Sequence, residues 1–84
     1  MRLAGKPLLW SYIGNATVGQ KADITSWVAE VEAAQWLCSA DVQSQFPNAR
    51  PSGDIWQFAL VPSGVVIVAR LLFRNDQAIV RDVF

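Results

Sequence analysis

The sequence predicts an α+β domain of two layers, with a short N-terminal strand, two helices and then a three-stranded antiparallel meander. Three observations carry this reading. The last third holds three β-rich runs, Ile55–Leu60, Val65–Phe73 and Ala78–Phe84, separated by Pro62-Ser63-Gly64 and by Arg74-Asn75-Asp76-Gln77. Short strand-like runs divided by a few turn residues read as successive hairpins. The middle third carries Ile24, Trp27, Val28, Val31, Ala34, Leu37 and Cys38 at spacings of three and four, the mark of a helix with one buried face. The run Val65–Phe73 is apolar on both faces, which suits the centre of a sheet. Helices laid on one face of such a sheet give two layers.

Arg2-Leu3-Ala4 reads as the first strand. Pro7 suits the first turn of a helix, where its missing N–H costs nothing. Leu8, Leu9, Tyr12 and Ile13 follow at helical spacing, and Gly14-Asn15 stops the helix. Gly14–Gln20 is small and polar and reads as a loop, with Asp23 as N-cap of the second helix. That helix is expected to end near Ser39, and Ser39-Ala40-Asp41 to cap a further turn through Gln45. Phe46–Gly53 reads as a turn-rich connector. In the strands, Trp56, Phe58 and Leu60 share one face, and Ile79, Arg81 and Val83 share another.

Eighty-four residues suit one domain spanning 1–84, with a thin margin of stability. Seven basic and seven acidic residues cancel, which argues against strong binding to a phosphate backbone but leaves room for a local patch. Beyond Val42, Arg50, Arg70, Arg74 and Arg81 face only Asp54, Asp76 and Asp82. One cysteine, Cys38, excludes an internal disulfide and fits the cytoplasm; it is expected to be a small buried side chain near a helix end. With no histidine, a transition-metal site is not expected, nor is a cofactor. The N-terminus lacks a signal-peptide core, and no apolar run is long enough to cross a bilayer.

The segment Trp27–Trp36, followed by Ser39-Ala40-Asp41-Val42 and Phe46-Pro47-Asn48-Ala49, resembles the HigB-type toxins of the RelE/ParE toxin–antitoxin superfamily. The shared pattern is a Trp, an Ala-rich acidic helix with a second Trp nine positions on, a Pro-Ala-Asp-Val-like cap, and an aromatic residue before a short Ala-containing turn. Arg2-Leu3-Ala4, Leu8-Leu9 and the three final strands fit loosely. The resemblance implies a RelE-like fold, ribosome-dependent cleavage of messenger RNA, and a helix-turn-helix antitoxin as partner. Such cleavage requires groups that deprotonate the ribose 2′-OH, steady the phosphate and protonate the leaving oxygen. The chain departs from the pattern in several places. A Tyr-Arg pair of the family falls on Val65 and Val66, a histidine common after the first helix is replaced by Gly14–Gln20, and a Gly-Thr-His tail with a nearby Tyr would begin where Phe84 stands. Cleavage is therefore expected to be weak or lost.

Arg70 and Arg81 are the phosphate-binding candidates, because a guanidinium on each of two adjacent strands can clamp one phosphate. The plain reading is a pair of strand charges that keep the sheet soluble. No catalytic residue can be assigned: Tyr12 is set for packing, Asp23 and Asp41 for capping, and no serine has a histidine to activate it. Trp36 and Trp56 either stack on bases or fill a helix–sheet or dimer contact. With 52% hydrophobic residues and four tryptophans, a homo-oligomer is expected. Trp56, Ile79, Val83 and Phe84 are its candidate contacts, through an uncovered last strand. The other function class is thus a non-enzymatic, oligomeric interaction module on a RelE-like fold.

Overall fold

The computed structural model describes residues 1–84. In chain order it contains β1 (Arg2–Ala4), α1 (Lys6–Ile13), α2 (Val18–Ala33), α3 (Ser39–Gln45), β2 (Arg50–Ser52), β3 (Ile55–Ala59), β4 (Val66–Leu72), a 3₁₀ turn (Phe73–Asn75) and β5 (Gln77–Val83). The sheet order is β1-β5-β4-β3-β2. β1 runs parallel to β5, and all other pairs are antiparallel. The expected meander is present as β3-β4-β5, with β4 at the centre, inside a larger mixed sheet.

The ends of the helices follow local chemistry. Pro7 stands in the first turn of α1, and α1 ends at Gly14. α2 starts earlier than expected. Thr17 accepts the Gln20 N–H, and the Gln20 side chain accepts the Thr17 N–H, a reciprocal capping box. Asp23 is therefore inside the helix, where its Oδ2 accepts the Ser63 N–H at 2.9 Å. α2 also ends earlier, at Ala33, and buries Ile24, Trp27, Val28 and Val31. Ala34 and Trp36 remain in the core beyond the helix, but Leu37 is 82% exposed. Cys38 is exposed too, contrary to the expected burial, because the chain is no longer helical there. Asp41 accepts the Leu37 N–H at 2.8 Å at the start of α3. The connector after Phe46 gains a short edge strand, because Arg50–Ser52 pairs with β3.

One hydrophobic cluster lies between helices and sheet. Trp27 of α2 meets Phe58 of β3, and Phe58 stacks with Trp56 and Trp36. Trp56 is fully buried in this cluster, so it is a core residue and offers no surface to a second chain. Ala69, Leu71, Ala78 and Val80 complete the sheet's side of the core.

Two expectations about the last strand are corrected. β5 is not an uncovered edge along its whole length: β4 pairs along one side and β1 pairs with Gln77–Ile79 on the other, so only the outer side of Val80–Val83 has no strand partner. Nor do Ile79 and Val83 share a face. The ladder shifts between Val68 and Ala69, whose partners are Asp82 and Val80, leaving Arg81 as the extra residue of a bulge. The bulge puts Val83 opposite the buried Ile67, on the core side, whereas Ile79 lies opposite Arg70 on the other side.

Candidate functional site

The helices cover one face of the sheet, and the side chains of the other face stand in rows, since paired strand residues project to the same side. One row reads Ala4, Ile79, Arg70, Ile55, Ser52. The next reads Asp82, Val68, Gln57, Arg50. A third reads Phe84, Val66, Ala59, with Phe84 and Val66 exchanging both backbone hydrogen bonds. An open sheet face normally alternates to polar residues. Here Val66, Val68, Ile55, Ile79 and Phe84 remain apolar and none is fully buried.

Arg70 stands in this face. Its Nε donates to Asp54 Oδ2 at 2.7 Å, and both side chains are 44% exposed. Asp54 comes from the turn before β3, which also accepts the Leu71 N–H on its carbonyl. Holding the carboxylate against Nε leaves the Nη groups of Arg70 directed elsewhere, at a locally cancelled charge. Arg81 is exposed at the bulge and makes no ion pair. It follows Ile79, the cross-strand neighbour of Arg70, by two residues, but no hydrogen bond joins the two arginines. The fold thus brings the two candidates onto adjacent strands without building them into one clamp.

Charge is segregated between the layers, a feature hidden in the overall balance. Arg2, Arg50, Arg70, Arg74 and Arg81 lie in the sheet and its turns, against Asp54, Asp76 and Asp82. The helices carry Lys6 and Lys21 against Asp23, Glu30, Glu32 and Asp41. The sheet layer is therefore net positive and the helical layer net negative.

Tyr12 packs against the core from α1, on the far side of the sheet from Arg70. No group of three His, Cys, Asp or Glu residues is placed to hold a metal ion. Two concavities flank β3. A cleft of about 270 Å³ between α2 and the connector is lined by Asp23, Glu30, Trp27, Phe46 and Phe58 among others. Its carboxylates make it unsuited to phosphate. A hollow of about 500 Å³ opens beside Arg50, Gln57, Ala59 and Val66, walled by Pro47 and Val61. The sequence marks Asp54 and Asp82 only as countercharges to the arginines; their places beside Arg70 and in the row with Arg50, and the hollow, come from the pairing register of the folded sheet.

Compared with known proteins, the chain matches no family model and no curated sequence. No helix is long and apolar enough to cross a membrane.

Proposed function

We propose that this chain is a toxin-related protein of the HigB type that meets nucleic acid through its sheet layer and has weak or no cleavage activity. The observation that carries this reading is the segregation of charge, which turns a neutral sequence into a domain with a net positive sheet layer. Arg81, free of any ion pair, and Arg70, half engaged by Asp54, are its phosphate contacts. The resemblance over residues 24–49 supports the same family, and those residues form the greater part of α2, all of α3 and the turn behind the sheet. A helix-turn-helix antitoxin, the ribosome and messenger RNA are the partners this reading implies, in the cytoplasm. Cleavage is weak because no histidine is present and Tyr12 lies in the opposite layer.

The test is binding of the 84-residue chain to a fluorescent single-stranded RNA at low ionic strength. Binding that weakens as salt rises, and weakens further in Arg81→Glu, supports the reading. A chain with no affinity for RNA at low salt refutes it. A second reading, a non-enzymatic interaction module, is favoured by one separate observation: among the polar residues of the open face, Ile55, Val66, Val68, Ile79 and Phe84 are apolar where a solvated face would be polar throughout.

A further inference from the structure

We propose that the open face of the sheet is self-complementary and joins two copies of this chain face to face. The inference deepens the interaction-module reading and replaces an edge-strand contact with a packed sheet face. It rests on the order of residues along two rows.

Asp82, Val68, Gln57 and Arg50 form one row across β5, β4, β3 and β2. Its two ends carry opposite charges, and neither end residue makes an ion pair within the chain. A two-fold axis parallel to the strands and passing between Val68 and Gln57 lays Asp82 of each copy over Arg50 of the other. The same axis acts on the neighbouring row, where Val66 comes over Ala59. Phe84, one strand to the other side, is carried over the hollow beside Ala59, Val61 and Pro47. Phe84 is 59% exposed, a knob on the surface, and the hollow lies at the position the symmetry demands. Charge at the ends of this row and shape at Phe84 thus agree on one axis, which also lays Arg70, held by Asp54, over Ile55 of the other copy.

An axis along the strands stacks the two sheets in the aligned manner of sheet-on-sheet packing, about 10 Å apart, a gap an arginine side chain spans. The axis lays β5 over β2 and β4 over β3, and these four strands, at ~4.8 Å between strands and ~3.4 Å per residue, give with Phe84 and the adjoining turn a face of roughly 400 Å² per copy. Two such faces bury on the order of 800 Å², the size of a weak, reversible contact. A weak dimer, populated in the upper part of the micromolar range, is the expected result. Because this contact covers Arg70, self-association and RNA binding compete for one face.

The experiment is sedimentation equilibrium of the purified chain from about 1 to 200 micromolar, with helical and sheet content checked by circular dichroism. The wild type is expected to dimerise. Asp82→Arg and Arg50→Asp, each placing like charges together, are expected to weaken the dimer by about tenfold, and the double exchange to restore it. Phe84→Ala is expected to weaken it as well. A wild type that stays monomeric throughout overturns the proposal. So does a dimer that both single reversals leave unchanged, or a double exchange no better than either single variant. These readouts contain no RNA, so they stand or fall independently of the toxin-related reading.

Discussion

Asp54 holds Arg70 through a single hydrogen bond of 2.7 Å from Nε, so the one arginine in the middle of the open face is partly neutralised by its own chain. Removing that carboxylate frees the guanidinium for phosphate. Asp54→Asn is therefore expected to tighten RNA binding several-fold at low salt, and Arg70→Ala to weaken it. Equal affinity for all three proteins would show that Arg70 does not meet the nucleic acid.

Catalysis is expected to be weak for a reason of composition and placement. A group that moves a proton near neutral pH is most often histidine, and the chain has none. Its single tyrosine packs against the core. Expression of the 84-residue chain in bacteria is expected to slow growth little, with no ribosome-dependent messenger cleavage. Strong arrest that disappears in Arg70→Ala or Arg81→Ala would falsify this.

Trp27 and Phe58 tie the two layers together, with ring centroids 5.4 Å apart in an edge-to-face arrangement. Trp27 is 1% exposed, and its truncation leaves a large cavity. Trp27→Ala is expected to cost about 3–5 kcal/mol, close to the whole stability of a domain this small. The Trp27 N–H is buried with no acceptor. Trp27→Phe removes that unpartnered donor and leaves a smaller cavity, so its cost is expected to be well below that of the Ala variant. Thermal melts of both variants decide the matter, and equal losses would show that a phenyl ring at this site recovers none of the packing that the Ala variant loses.

Much of the fold was legible because strong periodic patterns decide it locally. The runs around Trp56, Val68 and Ile79 are β-rich and divided by Gly64 and Asn75, so their existence and order were readable. The Trp27–Val31 stripe likewise marked a helix that buries that face. The start of α2 was missed because Thr17 and Gln20 cap each other three residues apart, a signal outweighed by the glycines around them. Its end was missed because Leu37 and Cys38 continue the apolar spacing after the backbone has left the helix at Ala34. Burial of Leu37 was inferred from a periodicity that no longer applied. The site was less legible still. Whether Ile79 and Val83 share a face depends on one extra residue, Arg81, and only the register with β4 reveals it. Trp56 carries no mark in the sequence that separates a core tryptophan from an interface one, since both are flanked by alternating strand residues.

The capping box makes a further prediction. Thr17 satisfies a backbone donor at the start of a sixteen-residue helix, and Gln20 returns the bond. Thr17→Ala loses both the acceptor and the geometry, and is expected to cost about 1 kcal/mol. Thr17→Ser retains the hydroxyl and is expected to lie within a few tenths of wild type. Denaturant midpoints measure the difference, and an unaffected Thr17→Ala would mean that packing alone sets where α2 begins.

Gly5 joins β1 to α1 at φ +82°, and a Cβ there would lie 2.6 Å from the Val80 carbonyl oxygen and 3.1 Å from its Cβ. Both neighbours belong to β5, which is fixed on its other side by β4, so they cannot retreat without disturbing the centre of the sheet. Gly5→Ala therefore meets two penalties, left-handed backbone strain and a backbone collision. Gly53 offers the contrast: its φ is +63°, but nothing lies within 4 Å of the added atom. Gly53→Ala carries the strain alone, about 1 kcal/mol, whereas Gly5→Ala is expected to exceed roughly 2 kcal/mol. For a chain of this length that difference separates the two melting temperatures by at least about 4–8 °C. Coincident melts would mean that α1 shifts away from β5 at little cost and that the close approach at Val80 is not part of what holds the N-terminus to the sheet.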